Sequence, residues 1–410
     1  MLSASPELFF RVDGGRITTR PMKGTAPRGR WLAEDEEIAA RLVASSKDRA
    51  ENAMIVDLLR NDLGRICRTG SVEVERMLEP ERYETVWQLT STIEGDLRPE
   101  ITLLDTFRAL FPSGSVTGAP KVRTTRIIAD LEDSARGPYC GAIGYLAPPG
   151  SGEPRANFNV AIRTVALDGQ TRTAEYGVGG GITHDSSAPG EYEEILAKAR
   201  VLTDVRPAFE LFESVAHVPA EGSGTWTSTS SGSPRPRGTS ASGSSSRPPP
   251  RRSSARSTRS RPRASSRLSL ARDGGLSTEV RDMPPGDGPV RVALDDEPVD
   301  PSDVWLFHKT TRRAPYERRR ERRPDLDDVL LVNDRGEVTE STIANLAVRL
   351  EGAWVTPPID AGLLAGTYRT VLLREGRLTE RPVTPDQLRD AEELALVSSV
   401  RGWRTAVLVP

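Results

Sequence analysis

Between Gly222 and Ser266 the chain carries nine Arg and no Lys, Asp, Glu, Val, Ile, Leu or Phe. Ser, Pro, Gly and Thr make up most of the rest. Such a segment cannot bury enough apolar area to offset the entropy of ordering it, so it is expected to be disordered. It divides the 410 residues into two foldable parts, 1–207 and 267–410, with 208–266 between them as a remnant strand plus linker. The flanks point to an interrupted domain. Phe209–Val215 (FELFESV) has the pattern of an opening strand and Arg267–Ala271 (RLSLA) that of a later one. An out-of-frame stretch of a GC-rich gene yields this vocabulary, and we prefer that reading to a natural tether. Trp226 is the single aromatic in the segment, which argues against an RNA-binding tail.

The rest of the composition excludes several classes. A formal net charge of -2 gives no polycation signature for nucleic acid. No apolar run is long enough to span a membrane, and the first residues, MLSASPELFFRVDGG, lack the charged start and apolar core of a signal peptide. Cys67 and Cys140 lie in unrelated contexts, so neither a disulfide framework nor a CxxC metal site is expected. A soluble, cytoplasmic protein is the expectation. Of 56 basic residues only five are lysine: Lys23, Lys47, Lys121, Lys198 and Lys309. Arg replaces Lys where only charge matters, but it does not deprotonate and cannot serve as nucleophile or Schiff base. Each retained lysine is therefore a candidate for chemistry, beside the plain alternative of a surface lysine.

Residues 1–207 read as a mixed α/β domain. Short β-rich runs (7–12, 141–146, 157–165 and 172–178) alternate with helical patterns. Helices are expected over 46–60, stopped by Asn61–Gly64, over 120–131 and over 191–202. Residues 267–410 read as a second α/β domain, with strands at 329–332, 343–350 and 394–398 and a helix over 363–374.

In the first part, SPELFF places Glu7 in a strand, and PMKGT places Lys23 beside the flexible Gly24. Asp48 and Glu51 share a helix face at i, i+3, as do Glu191 and Glu194, with Lys198 a turn further on. From spacing alone these acids fit solvated faces or an i,i+4 surface pair. The alternative is convergence of two carboxylate pairs on Mg2+, which prefers oxygen ligands and keeps room for water and an anionic substrate.

The motifs PELFF, PMKGTAPRG, KDRAENAMIVDLLRNDLGRIC, FPSGSVTGAPKVR, RGPYCGAIGY, FNVAIRT, GVGGGITHDS and EYEEILAKA occur in this order. Together they resemble the C-terminal half of the chorismate-binding enzymes, which include anthranilate, aminodeoxychorismate, isochorismate and salicylate synthases. The resemblance implies Mg2+ ligands at Glu51, Glu194 and Glu191. It implies substrate contacts at Thr117, Tyr139, Arg163, Gly179, Gly180, Gly181 and Lys198. Lys23, where anthranilate synthases typically carry Ala, points to the aminodeoxychorismate group. It would attack the chorismate ring, with Glu7 as general acid for the departing hydroxyl and ammonia displacing the lysine. Ammonia would come from a separate glutamine amidotransferase subunit. Gln88 stands where relatives often carry His. The family's first half is expected to be missing ahead of Met1, leaving a truncated α/β sandwich with exposed apolar strand faces and edges.

In the second part, WLFHKTTRRAPYE carries Lys309, and NDRGEVTESTIANLAV carries Glu340 and Asn345. VTPPIDAGLLAGTYR and LVSSVRGW follow. Their order resembles the class IV pyridoxal-phosphate enzymes. The resemblance implies Lys309 as Schiff-base lysine and Glu340 as partner of the pyridinium nitrogen. It implies phosphate contacts at Gly366, Thr367, Tyr368 and Ser399. The family's phosphate-binding Arg, in an HxxRL-type helix, would fall within 222–266, where no such motif occurs; weak or absent pyridoxal 5'-phosphate binding is the consequence expected.

The combined expectation is an α+β chain for p-aminobenzoate formation: amination of chorismate, then elimination of pyruvate by an aminodeoxychorismate lyase-like domain. Two rivals stand beside it. One is a chorismate-using synthase of anthranilate or isochorismate type joined to a class IV aminotransferase. The other is an inactive, truncated or frameshifted gene product.

Overall fold

The computed structural model describes residues 1–148, 150–182, 186–199, 202, 208–217, 264–283 and 288–410. The chain divides into two units, Met1–Arg206 and Pro207–Pro410. Each is mixed α+β, and the expectation of disorder over residues 222–263 lies outside the described residues. For 264–266 that expectation is corrected: Ala264, Ser265 and Ser266 open a strand. A β-ladder is held by backbone groups, so a neighbouring strand can order them without apolar side chains.

The first unit runs β1 (Leu2–Ser3), β2 (Leu8–Asp13), β3 (Arg16–Arg20), β4 (Met22–Pro27), α1 (Leu32–Ala44), α2 (Ser46–Gly64), β5 (Glu73–Arg82), β6 (Val86–Asp96), α3 (Leu103–Leu110), α4 (Gly114–Thr117), α5 (Lys121–Leu131), β7 (Ala142–Leu146), β8 (Ala156–Val160), β9 (Thr164–Asp168), β10 (Thr173–Tyr176) and α6 (Ala188–Ala199). Six strands follow the order β4-β6-β3-β2-β8-β7, and β5 also pairs with β6, giving a seven-stranded antiparallel sheet. The strand expected over 157–165 is broken in two, with Arg163 at a positive φ of 48° between β8 and β9.

Helix α2 covers this sheet with Ile55, Val56, Leu59 and Leu63, an i, i+1, i+4, i+8 stripe. It does not stop at Asn61. Leu63 is wholly buried, and Asp62 accepts from Lys121 Nζ at 2.7 Å, so the last turn has interior partners. Phe10, Phe107 and Phe158 pack edge-on or tilted, with centroids 5.0–5.2 Å apart. Burying one such ring contributes about 2–3 kcal/mol. On α5, Val122, Ile127 and Leu131 are exposed and no residue is buried.

The second unit runs β11 (Leu211–His217), β12 (Ala264–Leu270), β13 (Leu276–Asp282), β14 (Val290–Leu294), α7 (Ala314–Glu321), β15 (Asp328–Val332), β16 (Val338–Ser341), β17 (Asn345–Leu350), β18 (Ala353–Thr356), α8 (Thr367–Arg374), β19 (Thr379–Glu380), α9 (Pro385–Arg389), β20 (Glu393–Ser398) and β21 (Gly402–Leu408). Strands β11, β12 and β13 form one antiparallel sheet. The other sheet has eight strands in the order β16-β15-β14-β21-β20-β17-β18-β19, and an extra β16–β17 pairing closes it on itself. Near-continuous apolar strands such as Val329–Leu331 and Leu394–Val397 are buried as this closure requires. The helix expected from residue 363 begins at Thr367, with Gly366 as its N-cap.

Candidate active sites

In the first unit a bulge sets Lys23. The β4–β6 register shifts between Met22 and Thr25, and Gly24 sits there at φ 93°. A bulge of this kind re-aims a side chain out of the ladder. Gln88, buried on β6, donates to Thr25 Oγ1 at 2.7 Å and pins the strand just beyond the bulge. Lys23 in turn interacts electrostatically with Glu7 and Glu51.

Glu7 is 4 % exposed. Burial pushes its carboxyl up to about 7, against weaker opposing effects of a hydrogen bond with Ser115 and the charge of Lys23. Near neutral pH it therefore carries a proton about half the time, which suits a general acid. Ser115 lies two residues before Thr117, whose hydroxyl donates to the Ser113 carbonyl at 2.9 Å.

The glycine run collects several of the expected residues. A Cβ on Gly181 would stand 3.0 Å from Lys23 Nζ, one on Gly180 2.7 Å from Glu191 Oε2, and one on Gly179 2.8 Å from the Tyr139 hydroxyl. Only glycine lets the backbone pass so close to all three. Lys198 Nζ donates to the Gly179 carbonyl at 3.0 Å and ties α6 to the same turn. Burial raises the Tyr139 phenol above its usual range. Arg163, at its left-handed bend, accepts at its carbonyl from the Ala4 N–H and is electrostatically coupled to Tyr176.

The expected three-carboxylate metal site is not assembled. Among the described residues no group of three or more His, Cys, Asp and Glu is arranged to hold a metal ion. Glu194 is drawn 2.6 Å from Lys198, one turn along α6. Glu51 and Glu191 do face each other electrostatically, and burial raises Glu51 above the usual carboxylate range. Glu191 Oε2 is buried without a hydrogen-bond partner. These two carboxylates fit a hard divalent cation, which would relieve both the repulsion and the orphaned oxygen.

In the second unit, Lys309, Glu340, Gly366, Thr367 and Ser399 line one cavity of about 420 Å3. Glu340 is buried on β16, where desolvation pushes it up to about 8. Asn345 Nδ2 donates to Glu340 Oε2 at 2.9 Å, and the Leu364 N–H donates to Oε1 at 3.2 Å. A Cβ on Gly366 would stand 2.2 Å from Asn345 Oδ1, so the helix start is pressed against this pair. Tyr368, an expected phosphate contact, follows Thr367 on α8. One step further round α8 than Thr367, it packs with the cluster of Ala347, Leu372 and Val397 and does not line the cavity.

The expected lack of an arginine-bearing helix in 222–266 lies, apart from 264–266, outside the described residues. The cavity nonetheless has cations that sequence reading missed: Arg267, Arg281 and Arg313. Arg267 lies over the Phe212 ring at 3.8 Å, and its Nε is buried without a partner. A lysine, a buried carboxylate, a glycine-started helix and this positive wall fit an anionic aldehyde cofactor.

Residues 1–204 match the chorismate binding enzyme family, and residues 251–409 match the amino-transferase class IV family. The chain thus joins a chorismate-binding enzyme domain to a class IV aminotransferase domain. The class IV fold implies pyridoxal phosphate. An anthranilate synthase component 1 of Haloarcula marismortui is 46% identical over 203 residues, 49% of this chain and 39% of that protein. An aminodeoxychorismate synthase of Streptomyces pristinaespiralis is 46% identical over 201 residues, 49% of this chain and 27% of that protein. The chain therefore spans well under half the length of these curated relatives. The crystal structure of anthranilate synthase component I from Streptococcus pneumoniae is 41% identical, covering 50% of this chain and 43% of that one, with a TM-score of 0.44. No helix among the described residues is long and apolar enough to cross a membrane.

Proposed function

We propose that the first unit aminates chorismate to 4-amino-4-deoxychorismate and the second eliminates pyruvate from that product to give p-aminobenzoate. The observation that carries the reading is the meeting of Lys23 with Glu7: a lysine aimed out of a bulge, coupled to a buried acid near 7. Neutral Lys23 forms a carbon–nitrogen bond to the ring while the carbon–oxygen bond breaks. Glu7 gives its proton to the departing hydroxyl, which leaves as water. Ammonia then forms the final carbon–nitrogen bond and releases Lys23. Mg2+ held by Glu51 and Glu191, with Glu194 joining once it leaves Lys198, would neutralise substrate carboxylates. Ammonia would be delivered by a glutamine amidotransferase partner.

In the second unit, Lys309 and Glu340 would hold pyridoxal phosphate at either end of its ring system, with the phosphate at Gly366, Thr367 and Ser399. When bound, the cofactor would supply an electron sink. Glu340, its carboxyl raised to about 8 by burial, would hold a proton on the cavity wall.

The equal identity to anthranilate synthases favours a second reading, a different chorismate-using synthase beside an aminotransferase. Incubation with chorismate, ammonium and Mg2+, with products resolved by mass, separates them. Aminodeoxychorismate, turning to p-aminobenzoate and pyruvate once pyridoxal phosphate is added, supports the proposal. Anthranilate or isochorismate would replace it with the second reading, and no product in any arm would show a chain without activity.

A further inference from the structure

Strand β11 is laid directly on the Lys309 segment. The Phe212 N–H donates to the Lys309 carbonyl at 2.9 Å, the Thr311 N–H donates to the Glu210 carbonyl at 3.0 Å, and Leu211 bridges Thr310. This places Glu213 so that its Oε1 accepts from Lys309 Nζ at 2.6 Å. The same oxygen accepts from the Ser214 N–H at 2.8 Å, which fixes the carboxylate. Phe212 adds its ring face 5.5 Å from Nζ.

The other charged groups of the cavity surround this pair from every side. Arg267 of β12, Arg281 of β13, Arg313 before α7 and Arg320 within it are cationic. Glu317 and Tyr316 of α7, Glu340 of β16 and His308 complete the titratable lining. Among the acids of the lining, Glu213 is the one in an ion pair with Lys309.

We propose that Glu213 is a positioning residue for Lys309, holding the Nζ ammonium at the cavity wall and releasing it before that amine attacks a carbonyl group. This rests on Lys309 being the reactive amine of the second unit. Only a neutral amine has the lone pair for that attack, so the ion pair sets how readily Lys309 reacts near neutral pH.

The test uses the full chain, Glu213→Gln and Glu213→Asp. Acetic anhydride labelling of Lys309 is followed by peptide mass mapping across pH 6–10, with Lys121 and Lys198 as internal references. Loss of the ion pair is expected to speed Lys309 acetylation about fivefold at neutral pH relative to the two reference lysines. Glu213→Asp, which keeps the carboxylate, returns toward wild type, and high salt mimics Glu213→Gln in the wild-type chain because the pair is partly exposed. An unchanged profile in Glu213→Gln, with unaltered circular dichroism, overturns the inference. The underlying reading is tested separately by pyridoxal phosphate and borohydride. If the reduced adduct is absent from Lys309 while acetylation responds as expected, the reading fails and the positioning role of Glu213 stands.

Discussion

Asn345 and Glu340 face each other across the β16–β17 pairing that closes the eight-stranded sheet, and the Asn345 amide donates to Glu340 Oε2 at 2.9 Å. The same amide donates to the Leu364 carbonyl at 2.7 Å. One side chain thus joins the sheet closure, the buried acid and the segment leading to α8. Asn345→Leu leaves two buried acceptors short of a donor and should cost about 2–3 kcal/mol in chemical denaturation of the second unit. Asn345→Asp sets a second carboxylate beside Glu340, so its loss should grow as pH rises. A pH-independent Asn345→Asp defect would show that the two side chains are not coupled.

The two buried acids give the chain a definite pH dependence. Glu7 and Glu340 have carboxyls pushed up to about 7 and about 8 from an ordinary 4.5. A raised carboxyl means the folded state holds the proton more tightly than the unfolded state. Their burial is therefore least costly below about 4.5, and stability falls as pH rises through 4.5 to 7 for Glu7 and 4.5 to 8 for Glu340. The loss is on the order of 3 kcal/mol for Glu7 and 5 kcal/mol for Glu340. Thermal unfolding of wild type, Glu7→Gln and Glu340→Gln between pH 5 and 8 checks this. Each Gln variant should flatten the fall for its own unit. Chorismate turnover should fall as pH rises above about 7, and Glu7→Gln should abolish turnover at a pH where it folds.

How much of this was legible in the sequence depends on the distance over which each feature is decided. The flexible Gly24 beside Lys23 and the glycine start of α8 are local, and short motifs announced both, although not that Gly24 makes a bulge. The stop expected at Asn61–Gly64 failed because Leu63 and the Asp62–Lys121 pair continue α2 through contacts with residues far along the chain. Glu51 and Glu191 could be named as acids, and the i,i+4 spacing offered the Glu194–Lys198 pair that α6 forms, but spacing alone could not choose between that pair and a metal site. Ser115 and Glu213 were missed for a similar reason: a serine in a loop and a glutamate in a strand look ordinary until the fold supplies Glu7 and Lys309. The packing of Tyr368 away from the cavity was not legible, because a motif reads adjacent residues together whereas a helix turns each successive side chain away by about 100°.

The closeness of Gly181 to Lys23 allows a substitution that perturbs chemistry with little effect on folding. Gly181→Ala puts a methyl group 3.0 Å from Lys23 Nζ, which is the far end of a flexible chain and can move aside. Stability should change by less than about 1 kcal/mol. Lys23 would be displaced from its place by the glycine turn, and misplacement of about 1 Å can cost 100-fold in rate. A fall in kcat with KM nearly unchanged is the expected result. A loss confined to KM would assign Gly181 to substrate binding alone.

Lys121 has a structural explanation for its retention in an arginine-rich chain. Its Nζ donates to Asp62 Oδ2 at 2.7 Å and to the Leu110 carbonyl at 2.9 Å, tying the start of α5 to the ends of α2 and α3. Asp62 is 4 % exposed, so the pair lies largely away from water. Lys121→Met removes one partner and leaves a buried carboxylate uncompensated, a loss of about 3 kcal/mol in denaturant unfolding of the first unit. Asp62→Asn added to Lys121→Met removes that charge and should recover a large part of the loss. Lys121→Arg keeps the charge but offers a planar fork where a compact ammonium meets a carboxylate and a carbonyl, so it should fall between wild type and Lys121→Met. A double variant no more stable than Lys121→Met would show that packing of the lysine stem, rather than the ion pair, holds these helix ends together.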